Sequence, residues 1–142
     1  MYESDDPRSR LATAGRGSGP ATAFGSSTYA RFHESEPQEA GVGHRTWYTR
    51  GQNFVVCYSD AEEGAVFERE GQVDEYVLLL PDENTSVEVS ADGETRGIDG
   101  FSITMIPPGD SRVVVKGAGR VIRLISTRSA DVAAKASNAA VY

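Results

Sequence analysis

Three glutamates and an arginine supply the side chains from which a reactive site could be built: Glu68 and Glu70, two positions apart, Glu75, and Arg112 further along. Carboxylates that converge with no cation among them make an oxygen-rich site for a hard divalent metal such as magnesium, calcium or manganese. A guanidinium in their midst changes that outcome. It is permanently charged, cannot ligate a metal, and pairs with carboxylates through two hydrogen bonds. Charges taken out of water must be paired, so a cavity holding these groups is expected to be metal-free, with Arg112 neutralising Glu75 or Glu70. Arg112 could then hold the carboxylate or phosphate of a small ligand, and a glutamate with a raised pKa could move a proton. The plainer alternative makes Glu68-Arg69-Glu70 a solvated strand end.

The elements that must position these groups read as short β-strands. From Thr46 onward, brief apolar runs alternate with turn residues, the pattern of all-β sandwiches and barrels. Strands are expected at Thr46–Thr49, Phe54–Tyr58, Ala65–Glu70, Glu75–Leu80, Ser86–Ser90, Thr95–Ile98, Ser102–Ile106, Arg112–Lys116 and Arg120–Ser126. Between them stand Gly51-Gln52-Asn53, Pro81 to Asn84, Asp92-Gly93, Asp99-Gly100, Pro107-Pro108-Gly109 and Gly117-Ala118-Gly119, where Gly and Asn supply positive φ and Pro fixes turn entry. Asp92-Gly93 favours a two-residue hairpin turn. Within the third strand, Val66, Glu68 and Glu70 share one face and Phe67 and Arg69 the other. Hydrophobicity alone sends Phe67 inward.

The residues Gly64 to Asp82 and Gly100 to Lys116 resemble the two signature motifs of the cupin superfamily. Glu75 stands where the family glutamate belongs, Pro107-Pro108-Gly109 matches its Pro-x-Gly turn, and Asp82 replaces a glycine. Glu68 and Glu70, or Arg69 and Gly71 with the shorter motif spacing, fall on the first two metal-binding histidine positions; Arg112 falls on the third and Lys116 on the asparagine. The resemblance spans about residues 45–127. It implies a double-stranded β-helix barrel with the Glu68 and Glu70 face turned inward, the usual metal cage absent, and a homodimer joined through sheet edges and amino-terminal arms. Open sheet edges favour such covering.

Around this barrel, residues 1–27, rich in Gly, Ser, Ala and Thr, are expected to form a flexible amino-terminal arm, and residues 28–127 the barrel, with a peripheral strand at Thr28–His33. The alanine-rich residues 128–142 are expected to form a short helix capped by Ser129. The chain's end carries no clear stop signal, leaving open a longer protein or a partner chain.

A length of 142 residues suits one domain, and a formal net charge of −7 argues against nucleic acid or an anionic membrane as partner. Cys57 is the sole cysteine, so no internal disulfide can form. A reducing cytoplasm is the simplest compartment, as the amino terminus lacks signal-peptide features and no apolar run reaches membrane-spanning length. Cys57 is read as a small buried hydrophobe, with no adjacent base to activate it. The glycine-rich runs lack the order of a nucleotide-binding loop.

The expected function is a metal-independent, cofactor-free site for a small polar or anionic metabolite, with Glu75 and Arg112 as central pair and Glu70 and Glu68 beside them. If there is catalysis, proton transfer, as in an isomerase or lyase, suits the residues. His44, Arg50, Tyr48 and Tyr76 are further ligand-binding candidates, although a lone loop histidine is more often solvated and the aromatics more often core. Two rivals remain: a metal enzyme using carboxylates with His44, dioxygenase-like or hydrolytic, and a non-catalytic binding or assembly module.

Overall fold

The computed structural model describes residues 29–142; the expected arm at residues 1–27 lies outside the described residues. Ten antiparallel strands follow in chain order: β1 (Glu39–Gly41), β2 (His44–Arg50), β3 (Phe54–Ala61), β4 (Val66–Gln72), β5 (Tyr76–Leu80), β6 (Ser86–Ala91), β7 (Glu94–Ile98), β8 (Ser102–Ile106), β9 (Gly109–Gly117) and β10 (Gly119–Ser126). They form a six-stranded sheet ordered β1-β2-β3-β10-β5-β8 and a four-stranded sheet ordered β4-β9-β6-β7. The sheets close on each other as a jelly-roll barrel.

Alternation along each strand explains the core. In β3, Val55, Cys57, Ser59 and Ala61 point inward and are buried, while Val56, Tyr58 and Asp60 are only partly covered. The same period places Leu78 and Leu80 of β5, Val113 and Val115 of β9, and Val121 and Ile125 of β10 between the sheets. Burying each such aliphatic side chain contributes roughly 1.5–3 kcal/mol, which outweighs any exposed ion pair on the outer faces. The β6–β7 hairpin turns on Asp92 (φ 49) and Gly93 (φ 75), the two positive values a two-residue turn of matching twist demands.

Two expectations are corrected at the periphery. Tyr29–His33 forms no strand; Phe32–Glu34 is a 3-10 turn, because the Phe32 ring stacks on Tyr58 at 4.5 Å and leans on Trp47. A strand at Glu39–Gly41, unforeseen, pairs with β2 instead. The expected short carboxy-terminal helix is present: α1 covers Ala130–Ala133, followed by a 3-10 turn at Ala139–Val141. Ser129 does not cap it through its side chain, since its hydroxyl is engaged with Gln72. What holds this segment is packing, with Val132, Ala133 and Ala136 buried against the barrel.

Candidate functional site

The face expected to carry the glutamates looks outward. Phe67 is buried, and Glu68 stands in solvent, paired across the ladder with Arg112 through Nε to Oε1 at 3.0 Å. Their side chains are 63% and 53% exposed. Glu70 and Glu75 are exposed as well, so the four groups share no interior cavity. The physical reason is the choice open to β4: inverting it would bury two carboxylates and expose a phenylalanine. An exposed pair of this kind contributes about 0.2–1 kcal/mol. Arg112→Ala is therefore expected to lower the melting temperature by no more than about 4 °C, read by thermal denaturation.

The charge inside the barrel comes from β10. Its inward residues run Val121, Arg123, Ile125, and the guanidinium of Arg123 is carried between two aliphatic neighbours into the core, where the residue is 6% exposed. The cation lies over the Phe67 ring at 4.3 Å. Among the described residues it forms no ion pair, and its buried Nε has no hydrogen-bond partner. Cys57 and Leu78 flank Arg123 on the neighbouring strands.

Arg123 opens onto a cavity of about 100 Å³ at one end of the barrel, shared with His44, Tyr48, Arg69, Glu39 and Lys135. Each is held in place by its own bonds. Tyr48 donates to Glu39 Oε2 at 2.9 Å, and Lys135 reaches the same oxygen at 2.5 Å. Arg69 binds both carboxylate oxygens of Asp131 at 2.6 and 3.1 Å and donates from Nε to Gln72. A bulge in β4 between Arg69 and Gln72 turns Gln72 inward to meet Ser129. His44 Nδ1 lies 3.1 Å from the Thr46 hydroxyl, and its ring packs against Phe67 and so closely over Gly41 that any side chain there would collide with it.

The segment carrying α1 lies across this opening, tied down by the Asp131 and Lys135 pairs and by Ser137 N–H donating to Tyr48 O. Burial pushes the Glu39 carboxyl up, but hydrogen bonds from Lys135 and Tyr48 hold it below its ordinary value. The hydrogen bonds from Arg69 hold Asp131 down as well. Burial lowers His44, helped by the nearby Arg123 and Lys135 charges and opposed by Glu39. All three folded-state values are depressed, so the stability they confer is present at neutral pH and lost on acidification. The melting temperature is expected to begin falling below about pH 6.5 as His44 is forced to charge, and more steeply below about pH 4 as Glu39 and Asp131 protonate. His44→Gln should remove the upper limb of that curve. Burial also raises the Tyr48 hydroxyl and the Cys57 thiol, keeping both protonated at neutral pH.

Of the other sequence candidates, Tyr76 is buried with its hydroxyl 3.0 Å from Ser111 Oγ. Arg50 lies away from the cavity; its backbone exchanges two hydrogen bonds with the Asn138 amide and its guanidinium sits over Tyr142. Of the sequence candidates, the cavity thus brings together His44, Tyr48 and Glu68, but not Arg50, Glu70, Glu75 or Arg112. Arg123, Glu39 and Lys135 were not singled out from sequence, and Arg69 only as the occupant of a histidine position under the shorter motif spacing. The signal for Arg123 was legible: a charge on the inward register of Val121-Ile122-Arg123-Leu124-Ile125, where alternation calls for an aliphatic residue.

A metal does not fit these donors. Among the described residues no three His, Cys, Asp or Glu side chains converge to hold one. In the cavity, Glu39 is committed to Lys135 and Tyr48, Cys57 is a protonated thiol, and the guanidinium of Arg123 supplies the positive charge a metal would otherwise bring.

The fold is that of known cupins. The barrel superposes on KdgF from a Halomonas species with a TM-score of 0.61 at 18% identity, covering 75% of this chain and 98% of that one. An RmlC-like cupin from Shewanella frigidimarina matches with a TM-score of 0.62 at 16% identity over 77% of this chain and 98% of its own. A cupin superfamily protein from Desulfitobacterium hafniense gives 0.52 at 12% identity, over 62% and 82% of the two chains. No family model and no curated protein matches the sequence. No helix among the described residues is long and apolar enough to cross a membrane.

Proposed function

We propose that this cupin-fold barrel binds a small carboxylate-bearing metabolite without a metal, with the Arg123 guanidinium as its principal partner. The observation that carries the reading is the buried, unpartnered Nε of Arg123. A donor left unpaired inside a protein costs roughly 1–3 kcal/mol, and a ligand carboxylate would repay that cost through a charge-assisted hydrogen bond. The neighbours favour an anion: Arg69 and Lys135 add positive charge, and of the two carboxylates lining the cavity Glu39 is bonded to Lys135 and Glu68 to Arg112. A volume of about 100 Å³ suits a molecule of a few heavy atoms. His44, neutral at pH 7 because burial lowers its pKa, and the protonated Tyr48 line the same space and could pass a proton to or from such a ligand. This keeps the metal-independent, polar-ligand function expected from the sequence, with His44 and Tyr48 among its residues, and moves the central role from Glu75 and Arg112 to Arg123.

The experiment is a thermal-stability and calorimetric titration of the protein with formate, acetate, glycolate and pyruvate, against phosphate and the uncharged acetamide. Saturable stabilisation by at least one carboxylate, absent with acetamide and lost in Arg123→Gln, is the expected result. Carboxylates that stabilise no more than acetamide does would overturn it.

A further inference from the structure

Arg69 is a second cation on the wall of the Arg123 cavity, and its fork already holds a carboxylate, that of Asp131. On β4 it shares the inward face with Phe67, two positions away, which sets their Cα atoms about 7 Å apart along the strand. The guanidinium of Arg123 lies over the same Phe67 ring. The two ends of the pair between Arg69 and Asp131 are built differently. Arg69 is fixed in the barrel wall: its side chain is 15% exposed, its Nε donates to Gln72 Oε1 at 2.8 Å, and Gln72 is itself buried and bonded to Ser129. Asp131 is the loose end. Its side chain is 60% exposed, and it sits in the first turn of a four-residue helix that no side chain caps. Rotating that one side chain into the water that already reaches it leaves the fork free. Lys135 offers no such exchange, because its partner Glu39 is 34% exposed and is held by Tyr48 as well.

We infer that Asp131 occupies a second carboxylate subsite, and that the ligand of this barrel is a short dicarboxylate, of the size of malonate or succinate, bound by Arg123 at one end and by Arg69 in place of Asp131 at the other. The inference rests on the carboxylate site proposed at Arg123. At Arg69 the exchange is nearly neutral, since one bidentate carboxylate pair is broken and an equivalent one is formed. The surplus comes from linkage: a ligand anchored at Arg123 presents its second carboxylate to Arg69 at a high effective concentration. Charge agrees. With Asp131 swung out, Arg69 joins Arg123 as an unpaired cation while Glu39 and Glu68 keep their own partners, which leaves two positive groups for a dianion. The cavity of about 100 Å³ is the volume with Asp131 in place, and the space it vacates gives the second carboxylate room.

Calorimetric titration with malonate and succinate against acetate and propionate tests the inference, in the wild type and in Asp131→Asn, Arg69→Gln and Asp60→Asn. In the wild type, one of the dicarboxylates is expected to bind at least about 10-fold more tightly than either monocarboxylate. Asp131→Asn removes the internal competitor, so that ratio should rise about 10-fold further while acetate changes little. Arg69→Gln should bring the dicarboxylates down to the monocarboxylate level. Asp60→Asn, which takes a carboxylate from the exposed Arg45 instead, should leave the ratio at its wild-type value. Because the ratio is taken within each protein, a loss of stability in a variant cancels from it. Acetate that binds while neither dicarboxylate binds more tightly would overturn the second subsite and leave the Arg123 site standing. A ratio indifferent to Asp131→Asn would do the same. If no carboxylate binds at all, both fall together.

Discussion

Replacing Arg123 with methionine is expected to raise the stability of the ligand-free protein while abolishing its response to carboxylates. Most substitutions of a residue 6% exposed destabilise, so the sign is diagnostic. Methionine retains the length and apolar stem of arginine and removes a buried donor that has no partner among the described residues. Leaving that donor unpaired costs roughly 1–3 kcal/mol. Losing the cation over Phe67 subtracts about 0.5–2 kcal/mol of favourable interaction. The balance is a gain of about 1 kcal/mol, or about 3 °C in melting temperature. In binding, the same change removes a charge-assisted hydrogen bond from a desolvated site, an effect of roughly 2–5 kcal/mol and thus a 30-fold or greater loss of affinity. Arg123→Lys should give an intermediate result, since an ammonium keeps the charge but loses the planar fork. Were Arg123 a structural group satisfied within the fold, methionine would lower stability by several kcal/mol instead.

Leu78→Ala should have the largest effect on the fold. Leu78 is fully buried, stands beside Arg123 in the sheet register, and packs among the inward valines of the opposing sheet. Truncation leaves a cavity that a closed barrel cannot collapse to fill, and costs about 2–5 kcal/mol. A fall of about 6–18 °C in melting temperature follows, and urea unfolding should show the midpoint moving with the slope unchanged. Val114→Ala, between the buried Val113 and Val115 but directed outward, should cost less than about 1 kcal/mol. If the two variants lost equal stability, the inward–outward assignment of the sheets would be wrong.

The strands were legible because two local signals agree along most of the chain. Alternation marks β3, β5, β9 and β10, Pro81-Asp82 and Gly117-Ala118-Gly119 mark where β5 and β9 stop, and Asp92-Gly93 marks the turn from β6 to β7. Both act within a few residues, so no tertiary knowledge is required. The site was less legible, since it depends on which face of a strand is inside. On β4, alternation favours Phe67 inward and the motif correspondence favours Glu68 and Glu70; desolvation decides for Phe67. A carboxylate can hold the register of a metal ligand in the sequence and still face water once no metal repays its burial.

His44 and Tyr48 line the cavity because β2 begins two residues earlier than the apolar pattern suggests, extended by its pairing with β1. No period announces a three-residue edge strand such as β1. The strap over the opening was equally hidden: Asp131 and Lys135 lie in an alanine-rich stretch whose composition predicts a helix, and their partners Arg69 and Glu39 stand 62 and 96 positions away in sequence. Only the folded barrel brings them together. Arg123, by contrast, could be read from its own strand, because an aliphatic run broken by one charge on its inward register marks a group that something must satisfy.

The central claim, that the barrel holds an unsatisfied guanidinium for an anionic ligand, is tested most directly by NMR observation of arginine Nε–H groups during a titration with acetate and pyruvate. A single resonance, assigned by its absence in Arg123→Lys, should move saturably with at least one of the two while those of the surface arginines stay near their starting positions. An Arg123 Nε–H that fails to respond to either anion, or that already shows the shift and slow exchange of a hydrogen-bonded group before any is added, would contradict the account.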